Sequence, residues 1–231
     1  MEGLRFIAYL LEAVAIVAGF YFLRHKPLDT VTRYFVYFLV LTFSIETIGH
    51  IPTLIYYYEE LHFLKDTFWA QNFWLFNPYL ILSFLVYINY FKWKINSLGA
   101  RKILNILSVF YLVTAIGNLI FSDVFFTTFS SYTYMMGTLL VFLSISYYYY
   151  EILTSDRILV IKNSISFYIS VAALIFHLVS TPLFIYFKYF DRSLSPEFIN
   201  FYLILFMSVN IFMYTCFSIG FAICSQKKNS Y

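Results

Sequence analysis

Seven long apolar segments, separated by short polar connectors, make up almost the whole chain. Each is about as long as an α-helix must be to cross the hydrocarbon core of a bilayer, roughly 20 residues. The pattern predicts an all-α, polytopic membrane protein, a seven-transmembrane-helix bundle that forms a single domain over residues 1–231. The predicted helices cover residues 6–23, 34–57, 68–91, 103–121, 132–153, 164–187 and 198–224.

The second predicted helix carries three residues that are unusual at membrane depth, Glu46, His50 and Pro52. Glu46 and His50 are four positions apart, so they share one face of a helix. An ionisable side chain is costly in hydrocarbon and therefore has to face the protein interior. Pro52 lacks a backbone donor and weakens the turn that precedes it. Together these residues predict a polar site inside the bundle.

Composition supports the membrane class, since 61% of residues are hydrophobic and 12% are charged, about half the charged fraction of a soluble domain. No basic tract or Gly-rich phosphate loop is present in the sequence, so we expect no nucleic-acid partner. The first segment has Arg5 before it and Arg24 and Lys26 after it. This order is the reverse of that in a cleaved leader, so we expect a retained first helix.

Lysine and arginine are distributed unevenly between the two sets of predicted loops. Eleven of the 15 lie on one side, namely Arg24, Lys26, Arg33, Lys92, Lys94, Arg101, Lys102, Arg157, Lys162, Lys227 and Lys228. The other side holds Arg5, Lys65, Lys188 and Arg192. Because the side richer in basic residues faces the cytoplasm, the sequence predicts an outside N-terminus and a cytoplasmic C-terminus in the cell inner membrane.

Further polar residues are predicted at the level of Glu46 and His50. The set of ligand-binding or proton-relay residues is Glu12, Glu46, His50, Asn77, His177 and Asn210. Most of them fall in the half of the bundle nearer the outside. Prolines inside predicted helices loosen backbone hydrogen bonding, and we predict hinges at Pro52, Pro78 and Pro182.

Three interpretations of this polar set remain open. The first is an interhelical hydrogen-bond network that only holds the helices together. The second is a pocket in which Glu46 and His50 orient a small polar molecule or pass a proton. The third is a metal or haem centre with His50 and His177 as ligands, although the chain offers few further ligands at that depth.

Several specific activities lack the residues that they require. The seventh segment contains no lysine, so a retinal Schiff base has no attachment point there. No HExxH or GxSxG motif occurs in the sequence, so intramembrane protease and lipase chemistry has no metal set or nucleophile. We expect no catalytic residues, no cofactor and no metal, with His50 and His177 as the weak exceptions.

A weak internal repeat relates the two ends of the chain. A shift of 130 positions places helices one to three over helices five to seven, with the fourth as connector. In this register Pro52 lies over Pro182, and both are followed three residues later by isoleucine, Ile55 and Ile185. A three-plus-one-plus-three repeat is one arrangement that transporters use.

The chain also resembles a known group of sequences. The relevant runs are IETIGHIPTLIYYYEELHFLKDTFWAQNFWLFNPY, YYYYEILTSDRILVIKNSISFYIS and FHLVSTPLFIYFKYF. They resemble uncharacterised seven-helix inner-membrane proteins of Bacteroidota. The resemblance implies the same membrane architecture and assigns no activity and no site residues.

These observations favour a sensory or signalling membrane module. Such a module would bind a small-molecule ligand in the outer half of the bundle and act on a membrane or cytoplasmic signalling partner, with the lipid bilayer as its other contact. The alternative is a small-solute or proton-coupled transporter. A metal- or haem-binding membrane enzyme is the second alternative.

Overall fold

The computed structural model describes residues 2–186 and 196–226, and these residues are helical with no strand among them. The α-helices in chain order are α1 (Glu2–His25), α2 (Thr30–Ile48), α3 (Ile51–Tyr57), α4 (Phe73–Lys94), α5 (Leu98–Phe121), α6 (Val124–Thr127), α7 (Ser131–Leu153), α8 (Ile165–Tyr186) and α9 (Pro196–Gln226). Short 3₁₀-helices cover Glu59–Leu64, Phe68–Ala70 and Asp156–Asn163. Seven of the described spans are long and apolar enough to cross a membrane, as predicted, with α2 and α3 together forming the second.

The second span is not the continuous helix that the sequence predicts for residues 34–57. Helix α2 ends at Ile48 and α3 begins at Ile51, with Gly49 and His50 between them. Pro52 falls at the start of α3, where its missing backbone donor is tolerated. The break therefore lies at the turn that the proline weakens.

The third predicted helix begins later than expected, at Phe73 instead of residue 68. Phe68–Ala70 form a separate 3₁₀ turn, capped by the Thr67 side chain. The Asn72 amide then donates to the Gly49 carbonyl at 3.0 Å, which ties the start of α4 to the break in the second span. A hydropathy pattern detects the apolar residues of this turn but not its change of direction.

Six helices form a closed ring in the order α1, α2, α4, α7, α8 and α9, and α9 packs against α1. Helix α5 lies outside the ring against α4 and α7. Paired hydroxyl groups join α7 to α8. Tyr134 bonds Ser180 at 2.6 Å and Thr138 bonds Thr181 at 3.0 Å. Such interhelical bonds are a common means of association in a bilayer.

One end of the bundle, which we call the basic face, carries the α1–α2, α4–α5 and α7–α8 connectors. The Lys94 ammonium lies 3.0 Å from the Asp29 carboxylate, and Thr32 donates to that same carboxylate. Burial alone would raise the pKa of Asp29, but Lys94 and the Thr32 hydrogen bonds outweigh it and lower that pKa below its usual value. Glu151 accepts hydrogen bonds from the backbone amides of Asn96 and Ser97, which fixes the start of α5.

Just inside the basic face, a layer of buried aromatic rings fills the middle of the ring of helices. Phe35 lies 5.3 Å from Phe217 and 5.2 Å from Tyr90, measured between ring centroids. Phe22 and Phe221 meet at 5.7 Å beside them. Phe35 and Phe217 are almost completely buried. The bundle is therefore closely packed at this level.

Gly137 on α7 makes close packing against α4 possible, because a Cβ at this position would overlap the ring of Phe84. Phe84 is buried, and the overlap includes Cγ at the base of its ring, so rotation of the ring alone cannot relieve it. We expect Gly137→Ala to lower the free energy of unfolding by about 1–3 kcal/mol through overpacking. The measurement is unfolding in bicelles by titration with a denaturing detergent.

Gly117→Ala is the matched control for this prediction. Gly117 also lies inside a helix, α5, but no neighbouring atom lies within 4 Å of the position of a new Cβ. Alanine is the better helix former, so the control should leave the stability unchanged or raise it by up to about 1 kcal/mol. Equal effects of the two substitutions would show that the contact with Phe84 does not limit the packing of α7 on α4.

Candidate functional site

A cavity of about 380 Å³ lies inside the ring of helices, on the side of the aromatic layer away from the basic face. Residues of α1, α2, α3, α4, α7, α8 and α9 line it, whereas α5 lies outside the ring. The exposed Thr53 on α3 lies at its mouth, and His177 on α8 lies among the rings at its inner end. Ligand sites in helical bundles commonly occupy such a position between the helices.

Two carboxyl groups meet in the wall of this cavity. Glu46 on α2 lines it directly, and Glu12 on α1 lies beside Glu46 with only 1% of its surface exposed. The Glu12 carboxyl group interacts with the Glu46 carboxyl group and with the Tyr214 hydroxyl. The two carboxyl groups and the Tyr214 hydroxyl thus form one buried polar cluster at the cavity wall.

His177 is a buried polar group without a hydrogen-bond partner in the described part of the chain. Its ring is 3% exposed and lies 5.0 Å from Phe84, 5.5 Å from Tyr87 and 5.2 Å from Phe176, between ring centroids. Neither ring nitrogen has a hydrogen-bond partner among residues 2–186 and 196–226. Since His177 lines the cavity, a bound molecule would be able to reach it.

His50 lies in the break between α2 and α3, where it also lines the cavity. Its ring lies 5.2 Å from the ring of Tyr9 on α1. The sequence predicted that Glu46 and His50 share one face of a continuous helix. The helix breaks between them, yet both side chains line the same cavity.

Asn210 lines the cavity from α9, where its amide donates to the Phe206 carbonyl of its own helix at 2.9 Å. Asn77 has a different position, because it is completely buried and lies outside the lining of the cavity. Its amide nitrogen donates to the carbonyls of Val124 and Thr128, and its oxygen accepts from the Ser130 amide. Asn77 thus holds the turn between α5 and α7 against α4.

The predicted hinge prolines also differ in their surroundings. Pro52 begins α3 after the helix break, whereas Pro78 and Pro182 lie inside the continuous helices α4 and α8. Pro78 faces an apolar groove between α4 and α5 instead of the cavity. Hinge motion at these prolines stays a prediction.

Phenylalanine and tyrosine contribute 13 of the 29 residues that line the cavity, and none of the 13 was predicted as a site residue from the sequence. Tyr79 and Tyr214 lie near the carboxyl pair, and Tyr87 lies beside these two tyrosines. Tyr79 donates to the Thr42 hydroxyl at 2.9 Å. The stripe on α4 was available as a signal, since Tyr79, Ser83 and Tyr87 follow one another at intervals of four. It is hard to recognise in a chain in which 24% of the residues are aromatic.

The metal interpretation requires at least three converging ligands. No group of three or more His, Cys, Asp or Glu side chains converges within the ranges that the structure describes. His50 and His177 both line the cavity, but no further ligand of this kind joins them. The expectation that the protein holds no metal or haem stays a prediction.

Comparison with known proteins gives no relative from which a role could be transferred. The chain matches no family model, no curated protein and no solved structure. The function therefore has to be argued from the cavity and from the residues that line it.

Proposed function

We propose that the protein is a sensory module of the cell inner membrane that binds a small molecule in the cavity and signals through the basic face. The observation that carries the proposal is His177, a buried ring that lines the cavity and whose two nitrogens have no partner among the described residues. A purely structural network would satisfy its buried polar groups internally. In this bundle the hydroxyl pairs between α7 and α8 do so, whereas the described part of the chain offers His177 no such partner.

The proposed orientation has the N-terminus outside and the C-terminus in the cytoplasm. Nine of the eleven basic residues on the predicted cytoplasmic side are described, and they belong to the basic face or to the helix ends next to it. Lys188, Arg192, Lys227 and Lys228 lie outside the described residues. With the basic face inside, the cavity would be reached from outside the cell.

The aromatic layer favours a sensor over a transporter. Phe35, Tyr90 and Phe217 fill the ring of helices between the cavity and the basic face, so the cavity is not continuous with that face. A ligand in such a cavity can act on the other side only by moving helices. The break at Gly49 and His50 is a suitable point for that movement, because α2 and α3 meet there beside the cavity.

A specific observation keeps the proton-coupled transporter as the second candidate. Adjacent acidic residues at membrane depth are typical of proton relays, and Glu12 and Glu46 form such a pair. The helix arrangement also supports the proposed three-plus-one-plus-three repeat. Helix α5 is outside the ring, and exchanging α1, α2 and α4 with α7, α8 and α9 preserves the order of neighbours.

The proposed function is tested by attaching a small group covalently inside the cavity and measuring hydrogen exchange at the basic face. In a variant with Cys216→Ala and Cys224→Ala, Ser83→Cys places a thiol in the cavity wall. Reaction with benzyl methanethiosulfonate then tethers a small aromatic group there. We expect the hydrogen-exchange rates of the connector amides at residues 95–97 and 154–164 to change by a factor of about five or more. Coupling between two sites of a protein usually changes an equilibrium by at least this factor.

Ser208→Cys, treated with the same reagent, is the control. Ser208 is exposed on the outer surface of α9, so its adduct lies outside the cavity and should leave those amides unchanged. The proposal is wrong if the adduct at position 83 also leaves the basic face unchanged. Equal changes from both adducts would show a general disturbance of the bundle instead of signalling from the cavity.

A further inference from the structure

We infer that the ligand of the cavity is a small organic amine with an aromatic or apolar body, whose ammonium group lies against Glu46. This inference rests on the proposed function, because it names the ligand class for the same cavity. It follows from the carboxyl pair, from the aromatic walls and from His177.

The carboxyl pair places negative charge in the cavity wall. Arg5 also lines the cavity, where it interacts with Tyr9 and His50, whereas Glu12 and Glu46 interact with each other and with Tyr214. The ion pairs within residues 2–186 and 196–226 are Lys94 with Asp29 and Arg157 with Glu151, all at the basic face. Glu46 lines the cavity and Glu12 supports it from behind. Two adjacent carboxyl groups away from bulk water do not both ionise, because two negative charges at this distance repel each other, and the one charge that the pair carries attracts a cation. The cavity thus favours a positively charged group beside Glu46.

The surrounding rings define the kind of cation. Tyr79 and Tyr214 lie close to the two carboxyl groups, and Tyr87 lies beside both of these tyrosines. The faces of tyrosine rings attract an ammonium group, and the same rings pack well against an apolar body. A bare metal ion would need several oxygen or nitrogen ligands, and no third His, Cys, Asp or Glu side chain joins the two glutamates in the described part of the chain. An organic ammonium ion fits both the charge and the walls.

His177 provides the second point of recognition. It lines the cavity on α8, across the ring of helices from α2, and both of its ring nitrogens lack partners among the described residues. Its neighbours Phe84, Tyr87 and Phe176 form an apolar surround for the body of the ligand. A neutral imidazole both donates and accepts, so it can bond a polar substituent at the far end of the molecule. The ligand class is therefore an amine with a ring or short chain.

The experiment compares three probes of similar shape and different charge. Phenethylamine is a cation at neutral pH, phenethyl alcohol is neutral and phenylacetate is an anion. Binding is measured by isothermal titration calorimetry on the full chain in nanodiscs at neutral pH. We expect the amine to bind at least about tenfold more tightly than the alcohol, since each factor of ten requires only about 1.4 kcal/mol. We expect no binding of phenylacetate.

Glu46→Gln is expected to reduce amine binding to the level of the alcohol and to leave alcohol binding unchanged, so the alcohol reports that the cavity is still folded. Glu12→Gln should act in the same direction. The control is Glu60→Gln, in the 3₁₀-helix Glu59–Leu64 and outside the lining of the cavity, which should change neither affinity.

The outcomes separate this inference from the function on which it rests. Equal binding of amine and alcohol, unaffected by Glu46→Gln, would overturn the amine assignment and leave the cavity as a binding site. Tighter binding of phenylacetate would overturn it in favour of an anionic ligand. If the Ser83→Cys adduct leaves the basic face unchanged while the amine still binds through Glu46, the ligand class stands and the sensory function fails.

Discussion

Asn77→Leu is expected to lower the free energy of unfolding by about 2–4 kcal/mol. The substitution removes the amide that binds the carbonyls of Val124 and Thr128 and the oxygen that accepts from the Ser130 amide. Each partly buried backbone group left without a partner costs about 1–3 kcal/mol. Ser130 also caps α7, so the loss should loosen the start of that helix. Unfolding in bicelles by titration with a denaturing detergent measures the change.

The matched control is Asn210→Leu on α9. Asn210 is also buried, but its amide bonds only the Phe206 carbonyl of its own helix. This substitution should therefore change the stability by less than about 1 kcal/mol. A decrease for Asn77→Leu no larger than that of the control would contradict the assignment of Asn77 as the residue that holds the turn between α5 and α7.

Ser83→Phe is expected to weaken the binding of both phenethylamine and phenethyl alcohol while the protein stays folded. Ser83 lies in the middle of the cavity wall on α4, between Tyr79 and Tyr87 in sequence. A phenyl ring at this position occupies the space that the aromatic body of either probe needs. We expect at least about a tenfold loss of affinity for each, as measured by isothermal titration calorimetry in nanodiscs.

Ser208→Phe adds the same ring to the exposed surface of α9 and should leave both affinities unchanged. The contrast with Glu46→Gln is informative, since that substitution removes only the preference for the amine. Binding of either probe by Ser83→Phe with the affinity of the natural protein would place the binding site outside the cavity.

The seven spans could be predicted from the sequence because hydrophobic length alone determines which segments cross a bilayer. All seven are confirmed among the described residues. The break at Gly49 and His50 was not predicted, because Pro52 weakens a turn without specifying whether the helix bends or ends there. The late start of α4 depends on the bond between Asn72 and Gly49, which joins residues 23 positions apart.

The site could be predicted in part. Residue type and depth identified Glu12, Glu46, His50, His177 and Asn210 as polar groups of the bundle interior, and four of these five line the cavity. Glu12 lies directly behind that wall. Asn77 has the same residue type and depth as Asn210, yet it binds the backbone of the α5–α7 turn.

The difference between these two asparagines depends on the helix that each one faces. This order of neighbours follows from packing around the ring, which hydropathy does not encode. The hydroxyl pairs between α7 and α8 were not predicted for the same reason. Serine, threonine and tyrosine are frequent in the sequence, and only tertiary contacts show which of them meet.

The central claim is that the cavity is reached from one side of the membrane only. Its most direct test is thiol labelling of Ser83→Cys in the variant with Cys216→Ala and Cys224→Ala, using a membrane-impermeant methanethiosulfonate. The exposed Asn96→Cys on the basic face serves as the reference for the opposite side. We predict that Ser83→Cys reacts in intact spheroplasts and not in inverted vesicles, and that Asn96→Cys shows the reverse. Reaction of Ser83→Cys from both sides would contradict a one-sided sensory cavity and indicate a transport path.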